Sequence, residues 1–261
     1  MAVARSAHAN LVTDGNFTGV TYSGTLPMTT LFGQFGTGSG STLTVAGWTT
    51  TGYNFVYAPN TMDQGTTAGA LSGQPNQAPG QYNTGAGYGS TYMWGSHNSG
   101  SVTLPATDPA GGNFVGADGA YEVGAVSQTI TGLTVGDVYV LQFYWAGAQQ
   151  QGYNTATTEA WQVTFGSQTF TTGTVSLAAG GFSGWMIQNF NFTATSGTQT
   201  LSFLAVGTPS GQPPFCLLGG VALSVAPEFS NWMVFAGFGA VCTVVEVARR
   251  RRRRSDTEAA D

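Results

Sequence analysis

Ser127-Gln128-Thr129-Ile130-Thr131-Gly132-Leu133-Thr134-Val135-Gly136-Asp137-Val138-Tyr139-Val140-Leu141-Gln142-Phe143-Tyr144 is the stretch that decides the fold. Apolar and polar residues alternate on both sides of a glycine-containing turn, and a period of two puts one set of side chains on each face of a strand. Ser127–Thr131 and Val138–Tyr144 therefore read as strands. The pair reads as a hairpin from Ile130 to Val140 that turns through Gly132 to Asp137. Further along, the pattern recurs in Ala160–Phe165, Gln168–Thr174, Met186–Ala194, Thr198–Ala205 and Leu217–Val225. A second hairpin, Val163–Phe170, turns at Gly166-Ser167, where glycine accepts a positive φ at little cost. The chain has 39 glycines, only 7% charged residues and no long helical period before its last 35 residues. Short alternating runs between glycine turns indicate an all-β sandwich, and residues 10–226 are long enough to bury one sizeable core.

Residues 60–100 differ. Thr61 to Gly100 is rich in Gly, Asn, Gln, Pro and Tyr with little alternation, and reads as a long ordered loop inserted in the sandwich. Loops of that length in a compact domain are usually functional or mobile. Charge is equally uneven. Between Arg5 and Arg249 there is no lysine or arginine, while residues 10–226 hold seven acids: Asp14, Asp63, Asp108, Asp118, Glu122, Asp137 and Glu159. Seven acids and no cation give this body a charge of −7. A surface without cations cannot neutralise phosphates, which excludes nucleic acid as a partner. Cys216 and Cys242 fall on different segments and are expected unpaired, and no Cys/His cluster has metal-ligand spacing.

The tail sets the address. Pro227-Glu228 precedes twenty mostly apolar residues, Phe229 to Ala248, and then six arginines, Arg249 to Arg254. Twenty helical residues reach about 30 Å, the hydrocarbon thickness of a bilayer. The arginines hold that end in the cytoplasm, so the body is expected outside it, with residues 255–261 as a cytoplasmic tail. Pro227, Glu228, the start Phe229-Ser230-Asn231-Trp232, Gly237, Gly239 and the arginine run resemble the PEP-CTERM sorting signal of Gram-negative bacteria. That resemblance implies recognition by a membrane-embedded exosortase, cutting near Pro227-Glu228 and passage to the cell surface or extracellular matrix. The third motif position is Phe229 instead of proline, and an unprocessed single-span membrane anchor is the other reading. Residues 1–9 end in Ala7-His8-Ala9, an A-x-A form before domain-like sequence at Asn10, and are expected to be the remnant of a signal peptide.

The body carries a second resemblance. Asn10-Leu11-Val12-Thr13-Asp14-Gly15-Asn16-Phe17 looks like the opening strand of carbohydrate-binding-module jelly rolls with the galactose-binding-like fold. Ser127 to Leu133, then Gly136, Tyr139 and Phe143, is similar to their central hairpin, and Leu217-Leu218-Gly219-Gly220-Val221-Ala222-Leu223 to their closing strand. The resemblance implies a jelly roll. It also implies a structural calcium held by carboxylates after the opening Phe and in the closing strand, where this chain has Thr18 and Gly219 or Gly220. Calcium takes six to eight oxygens, so that site is expected to be lost or feeble and no cofactor is expected.

Catalytic chemistry finds little footing. His8 and His97 are the only histidines, and no G-x-S-x-G elbow accompanies them. Nothing in the spacing pairs Asp118, Glu122 and Glu159 as a hydrolytic carboxylate couple. Glycan binding is the stronger expectation, because sugar rings lie on aromatic faces while their hydroxyls need a few fixed polar partners. Trp145 to Asn154 ends a strand with that chemistry, including Gln149 and Gln150, and Glu159 and Trp161 begin the next. Asn113, Asp118 and the run to Tyr121 are placed at the same rim, with Tyr92 and Trp94 of the long loop closing over it. The expected ligand is extracellular polysaccharide, bound without catalysis. The alternative is a surface or biofilm-matrix component with no specific ligand, and a glycan-active enzyme ranks last.

Overall fold

Alternation becomes strand wherever one face is buried. In the computed structural model, residues 9–22, 33–36, 43–63 and 92–227 are described. The span Phe229–Ala248, the arginine run, Glu228, residues 1–8 and residues 64–91 of the long loop lie outside the described residues. The chain divides after Ala226 into two compact units, and every described strand belongs to the first. These strands are β1 Val20–Tyr22, β2 Gly33–Gln34, β3 Leu43–Val45, β4 Asn54–Tyr57, β5 Phe114–Asp118, β6 Val126–Thr131 and β7 Val138–Gln149. They continue as β8 Thr157–Phe165, β9 Gln168–Thr171, β10 Val175–Leu177, β11 Met186–Thr193, β12 Thr198–Thr208 and β13 Pro214–Val225. Among the described residues no helix is long and apolar enough to cross a membrane, and one 3-10 turn spans Ser96–Asn98.

The strands form an all-β sandwich. The larger sheet has the order β11-β7-β13-β5-β4-β2, and the smaller has β10-β8-β12-β6 with β9 also on β8. From β5 to β8 successive strands switch sheets, as do β11, β12 and β13, which is the winding of a jelly roll. The inner faces meet through aromatic rings: Phe143 of β7 lies 5.2 Å from Phe203 of β12, and Phe165 of β8 lies 5.5 Å from Phe192 of β11. Trp161, wholly buried, packs edge-on against Phe203 and donates its indole N–H to the Leu217 carbonyl at 3.0 Å.

The larger sheet is also covered on its back. Phe55, Tyr57, Phe114, Phe215 and Leu217 form a second apolar cluster there, under Met62, Met93, Phe182 and Trp185 from the surrounding loops. Every residue of β5 is consequently buried. A strand buried on both faces has no reason to alternate.

Three expectations are corrected. The Ile130–Val140 hairpin does not form: β6 pairs with β12 (Ile130 opposite Gln199), and β7 pairs with β11 and β13. The six residues from Gly132 to Asp137 cross between sheets instead. Asn10 to Phe17 is a turn and not an opening strand; it lies beside β13 through the Leu11 N–H to Leu223 carbonyl bond of 2.8 Å. Gln168–Thr174 stops at Thr171, and a separate strand, β10, resumes the pairing with β8. The second hairpin forms as expected, with Val163 opposite Phe170 and Phe165 opposite Gln168 around Gly166-Ser167.

Candidate functional site

At one end of the larger sheet β5 and β7 finish where β13 begins, and the loops at that end enclose a pocket of about 150 Å³. Its walls are the rings of Tyr53, Tyr121 and Tyr153, with Asp118 and Gln150 between them and Gly211 and Pro213 opposite. Tyr53 precedes β4 and continues the aromatic layer on the back of the sheet, with its ring 4.6 Å from Phe55 and 6.4 Å from Phe215. Tyr121 stands edge-on to Tyr53 at 5.4 Å and is 55% exposed. One aromatic wall is thus anchored in apolar packing and the next reaches solvent.

Asp118 ends β5. Its Oδ1 accepts the Ala120 and Tyr121 amides at 2.8 and 3.1 Å, which turns the chain and aims Tyr121. Its Oδ2 is buried with no hydrogen-bond partner, and desolvation pushes the carboxyl up to about 6 against those two amides. The Glu122 carboxylate beside the Tyr121 hydroxyl raises that phenol, and Glu122 itself sits at φ 42°, a conformation few non-glycine residues adopt. One carboxyl therefore lines a tyrosine pocket and a second acts on one of its tyrosines, and no lysine or arginine stands between residues 10 and 226 to balance them.

The sequence-derived candidates divide into three groups. Asp118 and Gln150 line the pocket. Trp94, Tyr92 and Gln149 stand behind it and hold its wall: the Trp94 indole donates to the Tyr153 carbonyl at 2.7 Å, the Tyr92 carbonyl accepts the Gln151 amide, and the Gln149 amide group bridges the Thr155 carbonyl and the Gly180 N–H. Asn113, Glu159 and Trp161 do not reach it. Asn113 donates to the Phe17 carbonyl at 2.9 Å, and Trp161 and Glu159 are wholly buried between the sheets because they share the inward face of β8. Pro227 is exposed and Glu228 lies outside the described residues. Tyr53 was not singled out by the sequence, since one tyrosine before a short non-alternating strand has no local signature. Tyr121 and Tyr153 were readable only as neighbours of Asp118 and Gln150.

Two other polar groupings exist. Asp63 accepts from His97 Nδ1 at 2.9 Å and from the His97 backbone N–H, joining the two ends that flank residues 64–91. An Asp–His pair is two-thirds of a hydrolytic triad, but among the described residues no serine or cysteine hydrogen-bonds the ring. Glu159 has neither oxygen hydrogen-bonded and lies against Gly147, and burial pushes it up to about 7, with the Thr157 hydroxyl close enough to offset this only in part. Cys216, also buried, has its thiol on the Ala160 carbonyl at 3.2 Å and its pKa raised by burial and then by the Glu159 charge. The residues at the implied calcium position do not fit the ion. Asp14 accepts from the Thr18 amide and hydroxyl and from the Gly19 amide, and the described residues contain no group of three or more potential metal-ligating acids, histidines or cysteines.

No family model matches the chain, and no curated protein matches it. Solved structures do resemble it. A carbohydrate-binding module of family 61, in complex with β-1,4-galactotriose, is 16% identical over 44% of this chain and 72% of its own, with a TM-score of 0.29. The C-terminal family 6 carbohydrate-binding module of a laminarinase from Zobellia galactanivorans is 12% identical over 45% of this chain and 83% of its own, at 0.29. A C-terminal sugar-binding domain is 16% identical over 51% of this chain and 89% of its own, at 0.33. Likeness at this level does not bear on what the pocket binds.

Proposed function

We propose that this chain is an exported bacterial envelope protein whose sandwich associates, without catalysis, with extracellular polysaccharide. The carrying observation is the pocket: three tyrosines line it together with a carboxyl and a carboxamide, and two of the rings, Tyr53 and Tyr121, stand edge to face. Aromatic faces accept the C–H faces of sugar rings, and a few fixed polar groups orient the hydroxyls. A volume of about 150 Å³ suits one sugar unit or a chain end, being smaller than the roughly 300–1,000 Å³ of sites for drug-sized ligands. Glu159 is sealed between the sheets and Asp118 lines the pocket, so the two do not face one another across a cleft as glycoside hydrolysis requires. Pro227-Glu228, the apolar run and the arginines support sorting by an exosortase, with the plain anchor as the alternative.

The test is a glycan array on the full chain, paired with fractionation of cells that express it behind a complete signal peptide. Saturable binding to a defined glycan and recovery with membranes or the cell surface are expected. A blank array on the folded protein removes the binding reading, and recovery in the cytoplasm removes the export reading. A display role without a ligand has one observation in its favour, the outer face of the smaller sheet. There Thr131 faces Thr198, Thr129 faces Thr200 and Ser127 faces Ser202, an uncharged hydroxyl surface suited to a hydrated matrix.

A further inference from the structure

Resting on the glycan reading, we infer that the pocket selects sugar units bearing a free amine over neutral ones, and rejects uronates. Three observations lead there. Asp118 is only 2% exposed, lines the pocket, and keeps one carboxylate oxygen without a donor after the other has taken two backbone amides. A buried carboxylate oxygen left unpaired is costly, and positive charge placed beside it in the pocket recovers more than it would in water. An ammonium supplies that charge and a hydroxyl does not.

The second observation is Glu122, which follows Tyr121 in the chain and acts on its hydroxyl from outside the pocket lining. It adds negative potential beside that tyrosine. The adjoining tyrosine rings, Tyr53 and Tyr121, have negative faces that attract a cation and repel an anion. Third, residues 10–226 contain no lysine or arginine. A uronate or sulfated unit would meet the Asp118 carboxyl with no cation to hold it, and like charges that close are repulsive within the ~8 Å screening length of physiological salt. The rank order amine, neutral, uronate is the one that charge predicts.

The experiment titrates the 261-residue chain with three tetrasaccharides: β-1,4-linked glucosamine, the same chain fully N-acetylated, and α-1,4-linked galacturonate. Titrations run in low and in high salt at about pH 6.5, above the value of about 6 to which burial pushes Asp118 and below the ordinary α-amine range of about 7.7–8.0. The amine form is expected to bind about tenfold or more tighter than the acetylated form in low salt, with the gap narrowing as salt rises and the uronate weakest. Asp118→Asn, which keeps an oxygen for the turn amides, and Glu122→Gln, on the surface, should each shrink that gap. Acetylated or uronate chains binding as tightly as the amine form overturn the inference and leave the glycan reading standing. An amine preference untouched by both substitutions overturns it too, by placing the selectivity elsewhere. Binding of none of the three, where an array has found another glycan, also overturns it; a blank array as well removes the glycan reading itself.

Discussion

Glu159 is the residue whose chemistry is least expected from its neighbours. It sits on the inward face of β8 with Trp161, Val163 and Phe165, where Gly147 leaves it room and supplies no donor. Its carboxyl is raised from 4.5 to about 7, and Asp118 from 3.8 to about 6, in both cases mainly by desolvation. The folded state therefore keeps protons that the unfolded chain has already released. Stability from this source is fully present below about pH 4 and is lost as pH rises through 6 and then 7. Thermal melts at about pH 5 and pH 8 should differ by about 1–3 kcal/mol in favour of the acid side, and Glu159→Gln should remove most of the difference. A melting temperature that rises toward pH 8 would contradict this. The two aromatic candidates separate at the same scale. Trp161→Ala opens a cavity in the core and should destabilise by about 3–5 kcal/mol, whereas Tyr121→Ala, at a mostly exposed ring, should stay within about 0.5 kcal/mol. Chemical denaturation of the two variants checks both.

Among the elements, β13 is the one on which the sheet and the loops converge. It pairs with β7 on one side and β5 on the other, and a bulge between Gly219 and Ala222 breaks its register. Gly220 takes φ 56° there, and Asp108, held by the Gly111 and Gly112 amides, puts its second oxygen against Gly219. A methyl at Gly219 would collide with that carboxylate, so Gly219→Ala should cost about 1–3 kcal/mol. Denaturation of this variant with and without Asp108→Ala tests the contact, because removing the carboxylate should recover part of the loss. The strands with one solvated face, β6, β8, β11 and β12, were legible because alternation survives in them. β4 and β5 were not, since burial on both faces leaves Asn54–Tyr57 and Phe114–Asp118 without a period. The Ile130–Val140 misreading has the same root. A glycine turn between two alternating runs fits a hairpin and a crossing between sheets equally well, and only the partner strands β12 and β11 distinguish them.

Over the whole sandwich, the lack of lysine and arginine in residues 10–226 and the position of the pocket act together. Asp118 and Gln150 were legible as polar residues at strand ends beside aromatics, yet Tyr53 comes from more than sixty residues away in sequence and meets them only when β4 lies along β5. Trp94, Tyr92 and Gln149, read from the sequence as ligand contacts, hydrogen-bond the Gln151–Thr155 segment that carries Tyr153. Sequence shows polar residues beside aromatics, but not which aromatics line the pocket and which brace it. The measurement that bears most directly on the central claim is a titration of the full chain with its best array glycan, against Tyr121→Ala and Tyr153→Ala. Both variants should melt close to wild type and bind about tenfold more weakly or worse, as expected for aromatic contacts that carry most of an interface. Wild-type affinity in both folded variants would mean that the tyrosine pocket is not where polysaccharide binds.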